Sequence, residues 1–298
     1  MDARRDRIVV VGDIVNDIVV VPRGAMRTDT DTDARIQPRP GGSAANTAAW
    51  AGSVGAAVDF VGTVGSADAE QHAEILRQSG VTPHLHVEPG MPTGAIVLVV
   101  EGQSRSMFTD RGANAALRAE SLTEEMLDAA RVLHVSGYTI TKDNSRGAPL
   151  RMIAHARDRG VVVSVDPSST GYLADYGIER FLDDLAGVEL IFPNLAEGEL
   201  LSGETEPERI GAALLERFPM VALKMGSRGG MLFRRGRPPH PVAAPRVDTF
   251  VEPTGAGDAF AAGFLAHWVR DGDAEAATQQ AVNLAARAVM LVGGRPPL

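Results

Sequence analysis

The chain is 298 residues long, 44% hydrophobic and 22% charged, with a formal net charge of −9 and no cysteine. That length and balance fit one large globular domain, or one plus a small appendage, with a sizeable core. An acidic surface without a block of Lys or Arg argues against nucleic acid as a partner, and the absence of cysteine excludes disulfides, thiolate metal sites and cysteine nucleophiles. The longest apolar runs, such as Ala95–Val100, are strand-sized and too short to span a bilayer, so no membrane association is expected. Residues 1–7 are charged and precede no signal-length apolar segment, which together with the missing cysteines fits the cytoplasm.

Ile8–Val11 is a β-branched run ending in Gly12-Asp13 and reads as a buried first strand. Ile14–Val21 alternates less cleanly and leads into the polar stretch Thr28–Asp33. Gly41–Asn46 opens an Ala-rich helix running to about Ser53, Val58–Val64 is a strand, and Asp68–Gln78 is a helix closed by Gly80. Thr93–Val100 and Arg105–Phe108 form a strand pair joined by Gly102-Gln103-Ser104. From residue 121 helices and strands alternate: helix Leu122–Ala130, strand Val132–Val135, helix Ser145–Arg159, strand Val161–Val165, strand Val188–Phe192 and helix Pro207–Phe218. Strands Met220–Lys224 and Gly230–Arg234 and helices Ala256–Arg270 and Ala274–Leu291 complete the chain. Such alternation predicts an α/β fold with a mostly parallel sheet covered on both faces. The segments at about 14–36 and 93–110 break it, and they predict a small separate β-sheet acting as a lid.

Active sites of open α/β sheets lie beyond the C-terminal ends of the strands. Asp13, Asp166, Asn194 and Lys224 each follow or end a predicted strand, so the fold would bring them to one edge. Thr254-Gly255-Ala256-Gly257-Asp258 opens a helix, where backbone N–H groups of Gly255, Ala256 and Gly257 lack helical partners and can hold an anion. Asp258 is placed to take a proton from a hydroxyl, and an anion cradle beside a base suits phosphoryl transfer to an alcohol. An ordinary capped helix has the same signature. Gly41-Gly42 before Asn46 allows close ligand approach and offers an amide to hydroxyls. Asn194 and Glu197, at i and i+3, could hold Mg²⁺ through water or simply start a solvated helix. Lys224-Met225-Gly226-Ser227-Arg228-Gly229 could border a nucleotide or be a plain turn. The Walker-type phosphate loop, the dinucleotide fingerprint, the zinc-protease motif and the nucleophile elbow are all missing from the sequence.

Over nearly its whole length the chain resembles the ribokinase-like (PfkB) sugar and nucleoside kinases. Gly41–Gly65 looks like the family's first signature and Glu252–Phe264 its second, with Arg111-Gly112-Ala113-Asn114, Asn194-x-x-Glu197 and Lys224-x-Gly226-x-x-Gly229 between them in the family's order. The resemblance implies a single domain over 1–298, a three-layer α/β/α sandwich with a β-sheet lid that often also forms a homodimer contact. It implies ATP–Mg²⁺-dependent transfer of the γ-phosphoryl group to a primary hydroxyl of a sugar, sugar acid or nucleoside. By this likeness Asp258 is the base and Gly255–Gly257 the anion hole, while Asp13, Gly41, Gly42 and Asn46 bind substrate. Asn194 and Glu197 tune Mg²⁺ and phosphate, and Lys224, Gly226 and Gly229 border the nucleotide. Arg105 and Arg111 flank the lid exit, within reach of a carboxylate or phosphate on an acidic sugar, or are exposed lid residues. Phe108 is the nearest ring for stacking a nucleobase. A helix N-terminus favours the ionised carboxylate, so Asp258 is expected to be a weak base.

The departures are Glu252, where many relatives carry the Asp of a monovalent-cation site, and the short tail after Gly293-Gly294. They make K⁺ activation doubtful. The family's Gly-x-Asp-x-x-Gly survives only as Gly65-Ser66-Ala67-Asp68-Ala69-Glu70 and reads as a surface variation. The alternative from another class is a ligand sensor that kept the fold and lost the chemistry, against which the intact Asp258 and its glycines argue.

Overall fold

The computed structural model describes residues 6–101 and 104–297. In chain order the strands are β1 (Arg7–Val11), β2 (Val15–Pro22), β3 (Ala34–Gly41), β4 (Val58–Val64), β5 (Val81–Val87), β6 (Gly94–Glu101), β7 (Ser104–Asp110), β8 (Ala130–Ser136), β9 (Val162–Asp166), β10 (Leu190–Ile191), β11 (Met220–Lys224), β12 (Gly230–Arg234) and β13 (His240–Val242). The helices are α1 (Ser43–Ser53), α2 (Ala69–Gln78), α3 (Glu124–Ala129), α4 (Gly147–Asp158), α5 (Thr170–Tyr176), α6 (Ile178–Asp184), α7 (Leu195–Ser202), α8 (Pro207–Leu214), α9 (Ala256–Asp271) and α10 (Ala274–Ala288).

Among the described residues the main sheet has nine strands in the order β13-β12-β11-β10-β9-β8-β1-β4-β5. Its pairs are parallel except for β11–β12 and β12–β13. β1 lies in the interior, which explains its unbroken apolar run: a strand covered on both faces needs no polar alternation. Ile8 and Val10 join one core with Trp50, Phe60, Phe192 and Phe264 under α1, α9 and α10. Val9 and Val11 point the other way, into a second core with Leu133, Phe181 and Phe233. The result is the expected α/β/α layering.

The lid is a four-stranded sheet, β3-β2-β6-β7, with β2 and β6 parallel and the other pairs antiparallel. Its strands at 15–22 and 34–41 carry the lid past the predicted limit of residue 36 to Gly41. Pro38 and Pro40 hide β3 in the sequence, but proline is tolerated on an edge strand such as this one. The predicted Gly102-Gln103 turn lies outside the described residues. β5 carries Pro83 at the opposite edge of the main sheet and was likewise not predicted, nor were β13, α5 and α6. Because β2 follows Asp13 and β3 runs straight into α1, the lid hangs from the C-terminal edge of the sheet, where the polar strand ends gather.

Candidate active site

Asp258 stands in the first turn of α9, beyond an N-cap Gly255 with φ 77°. A side chain at Gly255 would overlap the backbone of Gly294, so this residue must be glycine on two counts. The N–H of Ala256 is donated to Pro253 O at 3.2 Å. The expected three-residue cradle is therefore revised: among the described residues Gly255, Gly257 and Asp258 keep N–H groups without an acceptor, and Ala256 does not.

The Asp258 carboxylate accepts hydrogen bonds from Ser43 Oγ at 2.7 Å and Asn46 Nδ2 at 3.0 Å. Burial pushes its pKa up to about 7, against the pull of the Asn46 and Ser43 hydrogen bonds and of Lys224, while Asp166 adds repulsion. This overturns the expectation of a weak base: desolvation of the carboxylate outweighs the pull of the helix terminus. A base near neutrality suits proton transfer at physiological pH.

Asn46 is only 5% exposed, and its carbonyl accepts from Arg295 Nε at 3.2 Å. The guanidinium can only donate, so it fixes the amide with Nδ2 toward Asp258. Arg295, buried near the C-terminus, also donates to Gly41 O at 2.7 Å, and burial lowers its pKa to about 10 despite the nearby Asp17, Asp13 and Asp258. Neither Ser43 nor Arg295 was among the predicted site residues. The only sequence hints are Ser43's place after Gly41-Gly42 and Arg295's after a glycine pair.

Asp13 accepts the Ser43 N–H at 2.7 Å and the Ala44 N–H at 3.4 Å, so it caps α1 and fixes the helix that presents Ser43 and Asn46. It also lines a cavity of about 230 Å³ under the lid, with Arg111, Asn114, Tyr138, Lys142, Ser169 and Tyr172 among its walls. Gly41 and Gly42 are not in that wall. A side chain at Gly42 (φ 96°) would overlap Asp13, and one at Gly41 would overlap the Asp17 carboxylate, so their service is to seat α1. Arg105 lies in β7, but its side chain is outside those described. Phe108 is 63% exposed and does not reach the cavity wall.

A larger cavity of about 740 Å³ opens on the other side of the α9 N-terminus. Asn194, Lys224, Gly226, Gly229, Ala256 and Gly257 line its polar end, and Phe260, Val282, Ala285 and Val289 its apolar wall. Lys224 Nζ lies 2.6 Å from Asp166 Oδ2. Burial works against the Lys224 ammonium, but Asp166 and Glu197 outweigh it and hold the pKa above its ordinary value. Asn194 and Glu197 form a reciprocal capping box at α7: Asn194 Oδ1 accepts the Glu197 N–H at 2.9 Å, and Glu197 Oε2 accepts the Asn194 N–H at 2.8 Å. Glu197 is buried, not solvated, and burial pushes its pKa up against the pull of Lys224. Among the described residues no cluster of three or more His, Asp or Glu could hold a metal by itself.

Two departures look different in three dimensions. Glu252 accepts the Gly293 N–H and pairs with Arg39 of β3 at 3.4 Å, so a guanidinium stands beside that carboxylate. Asp68 is not a surface variation: it accepts from Asn16 Nδ2 at 2.6 Å and from Thr93 Oγ1, anchoring the lid at the roots of β2 and β6.

An anion cradle and a lysine facing one cavity, with a tuned carboxylate in the same helix turn, are the parts of a small-molecule kinase. The comparisons agree. The model of the pfkB family carbohydrate kinases matches residues 5–298. The chain is 31% identical over 280 residues to an ATP-dependent ribose-1-phosphate kinase of Halopiger xanaduensis, covering 92% of this chain and 89% of that one. It is 26% identical over 258 residues to a cytidine kinase of Thermococcus kodakarensis, covering 85% and 89%. Among solved structures, a putative ribokinase II from E. coli in complex with ATP and Mg²⁺ superposes with a TM-score of 0.85 at 24% identity, over 97% of this chain and 94% of that one.

The protein belongs to the PfkB family of carbohydrate kinases. It is an ATP-binding phosphotransferase with an alcohol group as acceptor, on a ribokinase-like fold. No helix among the described residues is long and apolar enough to cross a membrane.

Proposed function

We propose that the enzyme moves the γ-phosphoryl group of ATP to a primary hydroxyl of a sugar, sugar acid or nucleoside bound in the smaller cavity, with Asp258 as the base. The observation that carries this reading is Asp258 itself, held by Ser43 and Asn46 with its pKa raised to about 7. It rests one residue beyond Gly257, which lines the larger cavity.

ATP fits the larger cavity: the apolar wall suits the base, and the unpartnered N–H groups of Gly255, Gly257 and Asp258 suit the phosphates. A side chain at Gly257 would come within 3.3 Å of Lys224 Nζ, so the ammonium stands beside the same cradle. Mg²⁺ would be reached through water by Glu197 and Asn194, since their direct hydrogen-bonding capacity is largely spent on the capping box. When bound with ATP, the ion disperses the charge of the triphosphate. The acceptor hydroxyl gives its proton to Asp258 as its oxygen bonds to the γ-phosphorus; the bond from that phosphorus to the bridging oxygen breaks, and ADP leaves with the electron pair. Gly255, Gly257 and Lys224 hold the charge on the transferring group.

The test is ADP formation from ATP–Mg²⁺ across pentoses, hexoses, sugar acids, sugar phosphates and nucleosides. Turnover on one class supports the reading, and ATP binding with no turnover on any class speaks for the sensor alternative.

A further inference from the structure

Two cations, Arg111 and Lys142, line the smaller cavity. Arg111 Nη2 donates to Tyr138 O at 2.8 Å, but its Nη1 is buried with no hydrogen-bond partner. Lys142 Nζ sits over the Tyr172 ring, 4.6 Å from its centre. Neither forms an ion pair with a carboxylate among the described residues, whereas Arg7, Arg118, Arg146 and Lys224 do, and the chain carries a net charge of −9. Burial lowers the Arg111 pKa, and Asp13 across the cavity only partly opposes this.

A buried guanidinium with an idle donor is costly unless something supplies negative charge. The protein also goes to some length to hold it there. Asn114 donates to Arg111 O at 3.1 Å and exchanges hydrogen bonds with the Ile14 N–H at 3.0 Å and Ile14 O at 2.9 Å, which ties the lid exit to the turn after β1. Thr109, Thr141 and Ser169 add hydroxyls to the same wall.

Two other occupants fit less well. A neutral sugar satisfies Asp13 and the hydroxyls but leaves both cations unmatched. A nucleobase needs a flat slot, whereas Tyr138 and Tyr172 meet edge to face, their planes at 83°, and Lys142 covers a face of Tyr172. At about 230 Å³ the cavity also falls below the usual range for larger ligands.

We infer that Arg111 and Lys142 form an anion subsite, and that the substrate is a small sugar carrying a phosphate or carboxylate group remote from the hydroxyl that is phosphorylated. Resting on the kinase reading above, this places the sugar hydroxyls toward Asp13 and the anion beneath the lid. Arg111 supplies a fixed, directional donor and Lys142 a mobile charge.

The experiment compares ribose, ribose 1-phosphate, ribose 5-phosphate, gluconate and cytidine with the wild type, Lys142→Met and Lys142→Arg. Binding is measured by calorimetry and turnover as ADP formation from ATP–Mg²⁺, with melting curves to verify folding. The expected result is a preference of at least about 100-fold in affinity for one anionic sugar over ribose, equivalent to two charge-assisted contacts. Lys142→Met should reduce that preference about 10-fold or more, and Lys142→Arg should retain most of it. The phosphate and carboxylate ligands decide which anion is meant. Equal binding of ribose and every anionic sugar, tighter binding of cytidine, or a preference unchanged in Lys142→Met would overturn the subsite while leaving the kinase intact. Tight anionic-sugar binding without ADP formation would support the subsite and count against the kinase reading instead.

Discussion

Asp258→Asn should make the protein more stable while disabling it. The wild-type carboxyl has a pKa of about 7 in the folded state against 3.8 when unperturbed. A folded pKa raised above the unfolded one means the group's contribution is fully favourable below the unfolded value and is lost as pH rises toward the folded value. The window is therefore pH 3.8 to about 7, and above it the ionised carboxylate weighs against the fold. Three pH units at 1.36 kcal/mol each give an upper bound of about 4 kcal/mol. Because Asp258 is only part-buried by surface area, solvent screening reduces this to about 1–3 kcal/mol. Asparagine keeps the shape, can accept from Asn46 and can donate to Ser43 Oγ, so little is lost in exchange. The assay is denaturant unfolding of both proteins from pH 5 to 8. The gain should be largest near pH 8 and shrink toward pH 5. A variant less stable than wild type at pH 8, or a difference independent of pH, would show that Asp258 is a structural cap and refute the reasoning.

Arg295→Gln removes the cation that orients Asn46, so the Asp258 carboxylate loses support and the acid limb of the kcat/KM profile should move up by about half to one pH unit. An unmoved limb with only a lower melting temperature would restrict Arg295 to packing. Asp68→Ala removes the anchor at the roots of β2 and β6 and should cost about 1–3 kcal/mol, with faster amide exchange concentrated in residues 15–41 and 93–110. Exchange that rises only in α2 would place the role of Asp68 in that helix instead.

Much of the main sheet was legible because its strands are buried on both faces and its helices are amphipathic or Ala-rich. β11 and β12 match their expected limits, and Gly80 closes α2 with a φ of 81° as predicted. The misses have two causes. β3 and β5 are edge strands interrupted by proline, and α5 and α6 are single seven-residue helices whose stability comes from packing, not periodicity. At the site, the strand-end positions of Asp13, Asp166, Asn194 and Lys224 and the helix start that carries Asp258 are readable from the sequence. What it could not yield was the division of labour. That Asn46 serves Asp258 depends on a partner 212 residues away, while the Ala256 N–H given to Pro253 and the burial of the Glu197 cap follow from local geometry and packing that residue types alone do not show. The Asp258 base strength was misjudged for the same reason: the helix terminus is visible in sequence, but the surrounding wall is not.

The most direct test of the account is phosphoryl transfer by Asp258→Asn, measured in single turnover beside ATP affinity in the same samples. The account predicts transfer slower by about 10²–10⁴, with ATP binding changed by no more than about threefold. Transfer within about tenfold of wild type, or ATP affinity lost in step with transfer, would contradict the assignment of Asp258 as the base.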